Sequence, residues 1–359
     1  MATLRIAIWG GWAYNRPGDD IILRTLRDGL IERLPGVEVT GLTIGRSTAT
    51  HDGAILPVSH VTPETVAPYD VFIIGPGGNW PGVAELVDMA ATAIRPTITI
   101  GVGYCNLAGD DPASGADQCE GLLWRMRYIG CRDMIMEGIA RKATAPGVSV
   151  SLCPDLAYAA RFPQARQTHL GSPGPAAICT QAYLPGAFRE YIEDLARYLL
   201  DEGSEVWALP NANPAGQTDM MACAALAERV PGIRLIEACC DVEEFAGYLS
   251  QIGCLYSTRK HGAIMAQLMG IPSAVIDWTG AFAPLQLVAG GFSKVLGNRQ
   301  GPGDPAEWRA GLGLPDDWSE RLLSARERVE TEITVVCEWI RRTIYDPAVP
   351  RHNKRRHLR

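Results

Sequence analysis

Ser257, Thr258, Arg259, Lys260 and His261 follow one another directly after a short apolar run, Gly253 to Tyr256, and one glycine before a helix-forming one, Ala263 to Met269. Two cations and a histidine at the start of a helix suit an anion, because the first-turn N–H groups lack intrahelical partners and the helix dipole favours negative charge. The histidine adds a group that gives and takes protons near neutrality. Ser257, Arg259 and Lys260 are therefore candidate anion-binding residues, and His261 a candidate acid or base. Capping or a core hydrogen bond is the structural alternative for His261.

Other chemistry-bearing residues stand earlier. Arg132-Asp133 follows an apolar stretch ending Gly130-Cys131. Such a pair forms a structural ion pair, or its planar guanidinium clamps a carboxylate or phosphate. Pro154-Asp155 closes the next such stretch, with Asp155 as a loop cap or a site residue. In Asn15-Arg-Pro-Gly-Asp-Asp20, Asp19 stands where a helix N-cap belongs; its functional alternative is to bind hydroxyls or act as a base. Glycines follow three apolar runs, at Gly10-Gly11, Gly75 to Gly78 and Gly101 to Gly103. They allow tight turns or close approach of a ligand. None forms a dinucleotide fingerprint, and no Walker, HExxH or GxSxG sequence is present.

The elements that must hold these residues alternate between strand and helix. Leu4–Gly10, Val37–Ile44, Asp70–Gly75, Thr97–Gly103, Arg127–Asp133 and Val148–Asp155 read as strands. A helix runs from Ile21 to Leu34, with Ile22, Leu26, Leu30 and Leu34 at helical spacing. After a Pro/Gly-rich break, Phe162 to Pro175, a second set has strands at Ala176–Thr180, Glu205–Leu209, Ile233–Ile236, Gly253–Tyr256 and Ser273–Ile276. Helices over Phe188–Leu200 and Asp219–Arg229 lie between them. The alternation predicts an α/β protein with parallel sheets. We expect two Rossmann-like domains, at 1–165 and 172–310, facing a cleft. An amphipathic helix over 316–345 packs back across them, and a basic tail follows at 350–359.

Length and composition agree: 359 residues, 47% hydrophobic and 20% charged, suit two globular domains. No apolar run is long enough to span a membrane, and no secretory leader is evident. Ten cysteines without a CxxC pair fit reduced thiols in a cytoplasmic protein, and no metal site is indicated. Residues Arg351 to Arg359 hold five Lys/Arg; without them the body carries about −12, against −7 overall. So acidic a body argues against nucleic acid as a partner. Homo-oligomer formation is left open.

In order, Asn15 to Asp20, Gly77-Gly78, Arg132-Asp133, Pro154-Asp155, Ser257-x-Arg259-x-His261-Gly262 and Gly270-Ile271-Pro272 resemble the polysaccharide pyruvyl transferase family, from about residue 5 to 280. The resemblance implies a two-domain, GT-B-like fold. It implies transfer of the pyruvyl group of phosphoenolpyruvate to hydroxyls of a sugar or sugar-containing acceptor, forming a ketal, with no cofactor beyond that co-substrate. Arg259 and His261 match the family's Arg-x-His motif and are implied to hold the donor, with Arg132 a second contact. Gly18 and Asp19 match its Gly-Asp loop. Asn15, Gly77, Gly78, Asn79 and Asp155 would lie on the acceptor side or in the cleft. A Tyr and a Lys that many members carry after the Gly-Ile-Pro strand are replaced here by the segment Asp277 to Pro284. The donor's two anionic groups need at least two cations near one helix N-terminus, which Arg259, Lys260, His261 and Arg132 supply. His261 would then be general acid or phosphate ligand, and Asp19 would orient or deprotonate an acceptor hydroxyl. The alternatives are a nucleotide-sugar glycosyltransferase of the same architecture, a member adapted to a natural-product acceptor, and a non-catalytic scaffold.

Overall fold

The computed structural model describes residues 3–11, 17–44, 55–75, 77, 85–104, 119–162, 174–212, 219–237, 241–298, 300–308 and 312–345. Its strands are β1 (Arg5–Gly10), β2 (Glu38–Thr43), β3 (Ile55–Pro57), β4 (Val71–Ile74), β5 (Thr97–Val102), β6 (Tyr128–Cys131) and β7 (Ser149–Leu152) in one sheet, with order β3-β2-β1-β4-β5-β6-β7. A second sheet holds β8 (Ala176–Cys179), β9 (Val206–Ala208), β10 (Arg234–Leu235), β11 (Cys254–Ser257), β12 (Ser273–Ile276) and β13 (Lys294–Leu296), ordered β10-β9-β8-β11-β12-β13. Every strand pairing is parallel. Helices of eight residues or more are α1 (Pro17–Arg33), α2 (Met134–Ala143), α3 (Gly186–Asp201), α4 (Asp219–Arg229), α5 (Val242–Leu249), α6 (Lys260–Leu268), α7 (Phe282–Ala289) and α8 (Trp318–Tyr345).

Eleven of the strands stand where the sequence places them; β3 and β13 were not anticipated. Both are three-residue edge strands, too short to show a period, and β3 ends in a proline. Of the Pro/Gly-rich break from Phe162 to Pro175, residues 163–173 lie outside the described residues.

Alternation along the strands sorts side chains into layers. Ile6 and Ile8 of β1 join a central core shared with α1, α6 and α8, while Ala7 and Trp9 face a separate outer core. In the second sheet Ala177 and Cys179 join that same central core, and Ala176 and Ile178 face a third. The two sheets therefore share one apolar centre. α8 helps close it, burying Leu322, Ala325, Val329, Ile333, Val336 and Ile340 on one face. Glu332 is buried on the same helix and accepts hydrogen bonds from Tyr128 Oη (2.7 Å) and Ser151 Oγ (2.5 Å) in the first sheet. Burial raises its carboxyl above the ordinary range, although those two donors pull the other way.

Strand order reverses beside β1 in the first sheet and beside β8 in the second, between β1 and β4 and between β8 and β11. Crevices at such switch points, outside the carboxyl ends of the strands, are where open α/β sheets bind ligands. α1 follows β1, and α6 follows β11. Their N-termini meet.

Candidate functional site

α6 begins immediately beyond β11, and its first turn carries the residues singled out above. Arg259 is the N-cap, with extended backbone and no side-chain capping bond, so the N–H groups of Lys260, His261 and Gly262 have no helix partner. Ser257 is fully buried. Its hydroxyl accepts from Arg259 N (3.0 Å) and donates to Arg259 O (2.8 Å), bracing the turn rather than facing outward. The Arg259 guanidinium is gripped by Asp219, the first residue of α4, through Nε–Oδ2 at 3.0 Å and Nη2–Oδ1 at 2.5 Å. This fork-to-fork pair fixes the plane of Arg259 while leaving its side chain partly exposed. Lys260 is partly exposed in the first turn.

His261 points the other way, to the first half. Its Nδ1 lies 3.6 Å from Asp19 Oδ1, and its Nε2 3.5 Å from both Asp155 Oδ2 and Arg132 Nη1. These separations are longer than good hydrogen bonds. Approach this close depends on Gly18: a Cβ there would sit 2.1 Å from His261 Cβ. Asp19 is not the cap of α1. The helix starts at Pro17, a residue suited to a first helical position, so Asp19 falls inside the first turn, with its carboxylate on the side of His261.

Arg132 and Asp155 form a buried ion pair, Nη1–Oδ2 2.5 Å, at the ends of adjacent strands β6 and β7. Burial would raise the Asp155 carboxyl. The Arg132 guanidinium outweighs it, with His261 and the Ala157 N–H (3.0 Å to Oδ1), and holds Asp155 well below the usual carboxylate range. Arg132 Nε is buried with no hydrogen-bond partner among the described residues, which leaves a donor edge available. Asp133 has a different task. Its carboxylate caps α2 through Met136 N (2.8 Å) and also accepts from Tyr104 N (2.8 Å). Arg132 therefore pairs with Asp155, not with its sequence neighbour.

A buried polar chain holds the two halves in register. Tyr158, three residues beyond Asp155 in a 3-10 turn over Leu156–Ala159, donates to Gln267 Oε1 of α6 (2.7 Å) and accepts from Gln286 Nε2 of α7 (2.8 Å). Asp155 and His261 thus stand at the N-terminal ends of two elements that are bonded to one another. The segment that departs from the family pattern also has a structural reading: Asp277 is buried and accepts from Thr279 N (3.2 Å) and Phe282 N (2.8 Å), setting the start of α7.

Of the residues read from sequence, the structure brings Asp19, Gly18, Arg132, Asp155 and His261 to one point, with Arg259, Lys260 and Ser257 on the adjoining turn. Gly77 stands one contact away: it bridges Val102 at the end of β5, and its carbonyl accepts from Gly103 N (2.8 Å), where a Cβ would lie 2.6 Å from Arg132 Nε. Asn15, Gly78 and Asn79 lie outside the described residues. Sequence reasoning missed Asp219. It was visible only as a helix start, and its place beyond a strand end was the one signal for more. No group of three or more potential metal ligands occurs among the described residues.

The sequence profile of the polysaccharide pyruvyl transferase family matches residues 17–280. The chain belongs to that family. None of the curated proteins matches it. Among solved structures it is similar to a protein from Listeria monocytogenes described as a UDP-N-acetylglucosamine 2-epimerase, with a TM-score of 0.61 at 12% identity, covering 98% of this chain and 99% of that one. It is also similar to S. aureus MnaA in complex with UDP (TM-score 0.60, 14% identity, 95% and 96% covered) and to the UDP-GlcNAc 2-epimerase of Neisseria meningitidis bound to UDP-GlcNAc (0.53, 10%, 94% and 100%). At these identities the likeness is one of fold: two parallel α/β sheets in a GT-B-like arrangement with a long C-terminal helix. Membership of that family makes this a transferase. Among the described residues no helix is long and apolar enough to cross a membrane.

Proposed function

We propose that the protein moves the pyruvyl group of phosphoenolpyruvate onto two hydroxyls of a sugar or sugar-containing acceptor, forming a ketal, in the cytoplasm and without a further cofactor. The observation that carries this reading is the junction of Asp19, Arg132, Asp155 and His261, where the strand ends of both sheets meet beside the uncapped N-terminus of α6.

The reaction asks for what this junction offers. Protonation of the donor's methylene carbon makes C2 electrophilic. One acceptor hydroxyl adds to C2, the C2–O bond to phosphate breaks, and the second hydroxyl closes the ketal. Two hydroxyl protons are released; one replaces the proton taken up by the new methyl group, and the other leaves on phosphate. His261 is the group placed to deliver a proton to the methylene carbon or to the departing phosphate oxygen. Asp19 comes from the other half of the molecule, 3.6 Å from the imidazole, and orients or deprotonates the acceptor hydroxyl. Ionised Asp155 and the Arg132 guanidinium hold Nε2 between them and set the ring's orientation.

A second reading, a nucleotide-sugar enzyme, is favoured by one observation: the fold is shared with proteins solved with UDP or UDP-GlcNAc. Turnover separates the two. The protein is incubated with phosphoenolpyruvate and a panel of hexopyranosides carrying free diols, with release of phosphate and mass of the acceptor as readouts. Pyruvyl transfer adds the mass of pyruvate less water and is expected to fall about a hundredfold or more in a folded His261→Ala protein. Hydrolysis or transfer from a nucleotide sugar, with phosphoenolpyruvate inert, would decide for the second reading.

A further inference from the structure

Both guanidiniums beside α6 are already matched by buried carboxylates, Arg132 by Asp155 and Arg259 by Asp219. Much of their charge is thereby neutralised before any ligand arrives. Recognition of a multiply charged donor then rests also on Lys260, on the first-turn N–H groups of α6 and on whatever neutral donors face them.

One such donor is present and was not among the residues singled out by sequence. Asn211 follows β9 and is only 4% exposed. Its Nδ2 is buried without a hydrogen-bond partner among the described residues. The amide lies against the first turn of α6: a Cβ built on Gly262 would be 3.4 Å from Asn211 Nδ2 and 3.1 Å from Ser257 Oγ. The amide thus stands in van der Waals range of the Gly262 backbone, while Ser257 Oγ leaves little room for a side chain at 262. A buried N–H left unbonded costs stability with no return inside the protein, so a partner from outside the chain is the economical explanation. Beside a helix N-terminus whose own N–H groups are uncapped, that partner is an anion.

We infer that Asn211 and the first turn of α6 form the subsite for the phosphoryl group, Asn211 donating from Nδ2 to a phosphate oxygen. The inference rests on the phosphoenolpyruvate reading above and extends it. The shared chemistry is a phosphoryl oxygen, whether on the bound donor or on the phosphate released from it. A neutral amide suits that double duty, since it holds the group without adding a fixed charge that would retain the product.

The test is calorimetric titration of the whole chain with inorganic phosphate and, separately, with phosphoenolpyruvate, for wild type, Asn211→Ala and Asn211→Asp. A hydrogen bond to a charged group is worth about tenfold to a hundredfold in affinity. Asn211→Ala is expected to weaken both ligands by a similar factor in that range, and Asn211→Asp, nearly identical in shape but anionic, by at least as much. Thermal midpoints of the ligand-free variants are expected to stay at or above wild type, because Nδ2 bonds nothing among the described residues; a marked drop in the Ala variant would point to a structural role and overturn the assignment. Unchanged affinity for phosphate in both variants would also overturn it, as would a loss for phosphoenolpyruvate alone, which would put Asn211 at the carboxylate. Wild type binding neither ligand would instead remove the donor reading on which the subsite rests.

Discussion

Replacing Asp155 by asparagine removes one charge and almost no volume, and so tests the electrostatics of the junction apart from its packing. Arg132 and Asp155 are both essentially inaccessible to solvent and pair at 2.5 Å. Removing one member of a buried pair leaves the other charge uncompensated in a low-dielectric interior, a loss of about 3–5 kcal/mol. Because Asp155 is held below its ordinary range, its stabilisation is fully present above the unfolded value of about 3.9 and is lost as pH falls through the folded value. The gap between wild type and Asp155→Asn is therefore expected to be widest near neutrality and to shrink below pH about 4. Urea unfolding across that range measures it. A companion protein, Arg132→Met with Asp155→Leu, exchanges the pair for apolar groups and is expected to recover most of the stability that removing one partner alone would lose. It is expected to remain inactive. If Asp155→Asn matched wild type at pH 7, or if the gap did not depend on pH, the claim that Arg132 holds an ionised Asp155 would fail.

Three further outcomes follow from the same geometry. Gly18→Ala forces a methyl into His261, separating the starts of α1 and α6; it is expected to destabilise by roughly 1–3 kcal/mol and to cut turnover by about a hundredfold, so near-normal turnover would show that the two helix starts need not touch. Asp219→Asn breaks the fork that fixes the plane of Arg259 beside the start of α6. Its effect is expected mainly in the KM for phosphoenolpyruvate, raised about tenfold, and a change confined to kcat in steady-state assays would contradict a donor-binding role. Glu332→Gln keeps an acceptor for Tyr128 and Ser151 but removes a buried carboxylate whose folded value is raised. That penalty grows as pH rises above the unfolded value of about 4.3, so the variant is expected to outlast wild type in urea at pH 8 and to match it below pH about 4.

Most of the scaffold was legible because its signals are local. Apolar strand runs, the 3.6-residue spacing of Ile22, Leu26 and Leu30, and the Gly270 stop are properties of neighbouring residues. β3 and β13 were not, since three residues carry no period. At the site, residue types were legible and partnerships were not. Arg132 could be read as a clamp or an ion pair, but that Asp155 rather than Asp133 answers it depends on the adjacency of β6 and β7. Asp219 reaches Arg259 across forty positions of sequence, and Asn211 reaches Gly262 across fifty-one; only the packing of α4, α6 and the β9 strand end brings them together. Asp19 was read as a cap because its type fits one, whereas Pro17 had already started the helix.

The central claim is that the junction of Arg132, Asp155 and His261 receives phosphoenolpyruvate. Calorimetric titration of the protein with phosphoenolpyruvate and with uridine diphosphate tests it most directly, with Arg132→Met/Asp155→Leu as the control. The account predicts saturable binding of phosphoenolpyruvate that is lost in the control; binding of uridine diphosphate alone, or phosphoenolpyruvate binding that the control leaves intact, would contradict it.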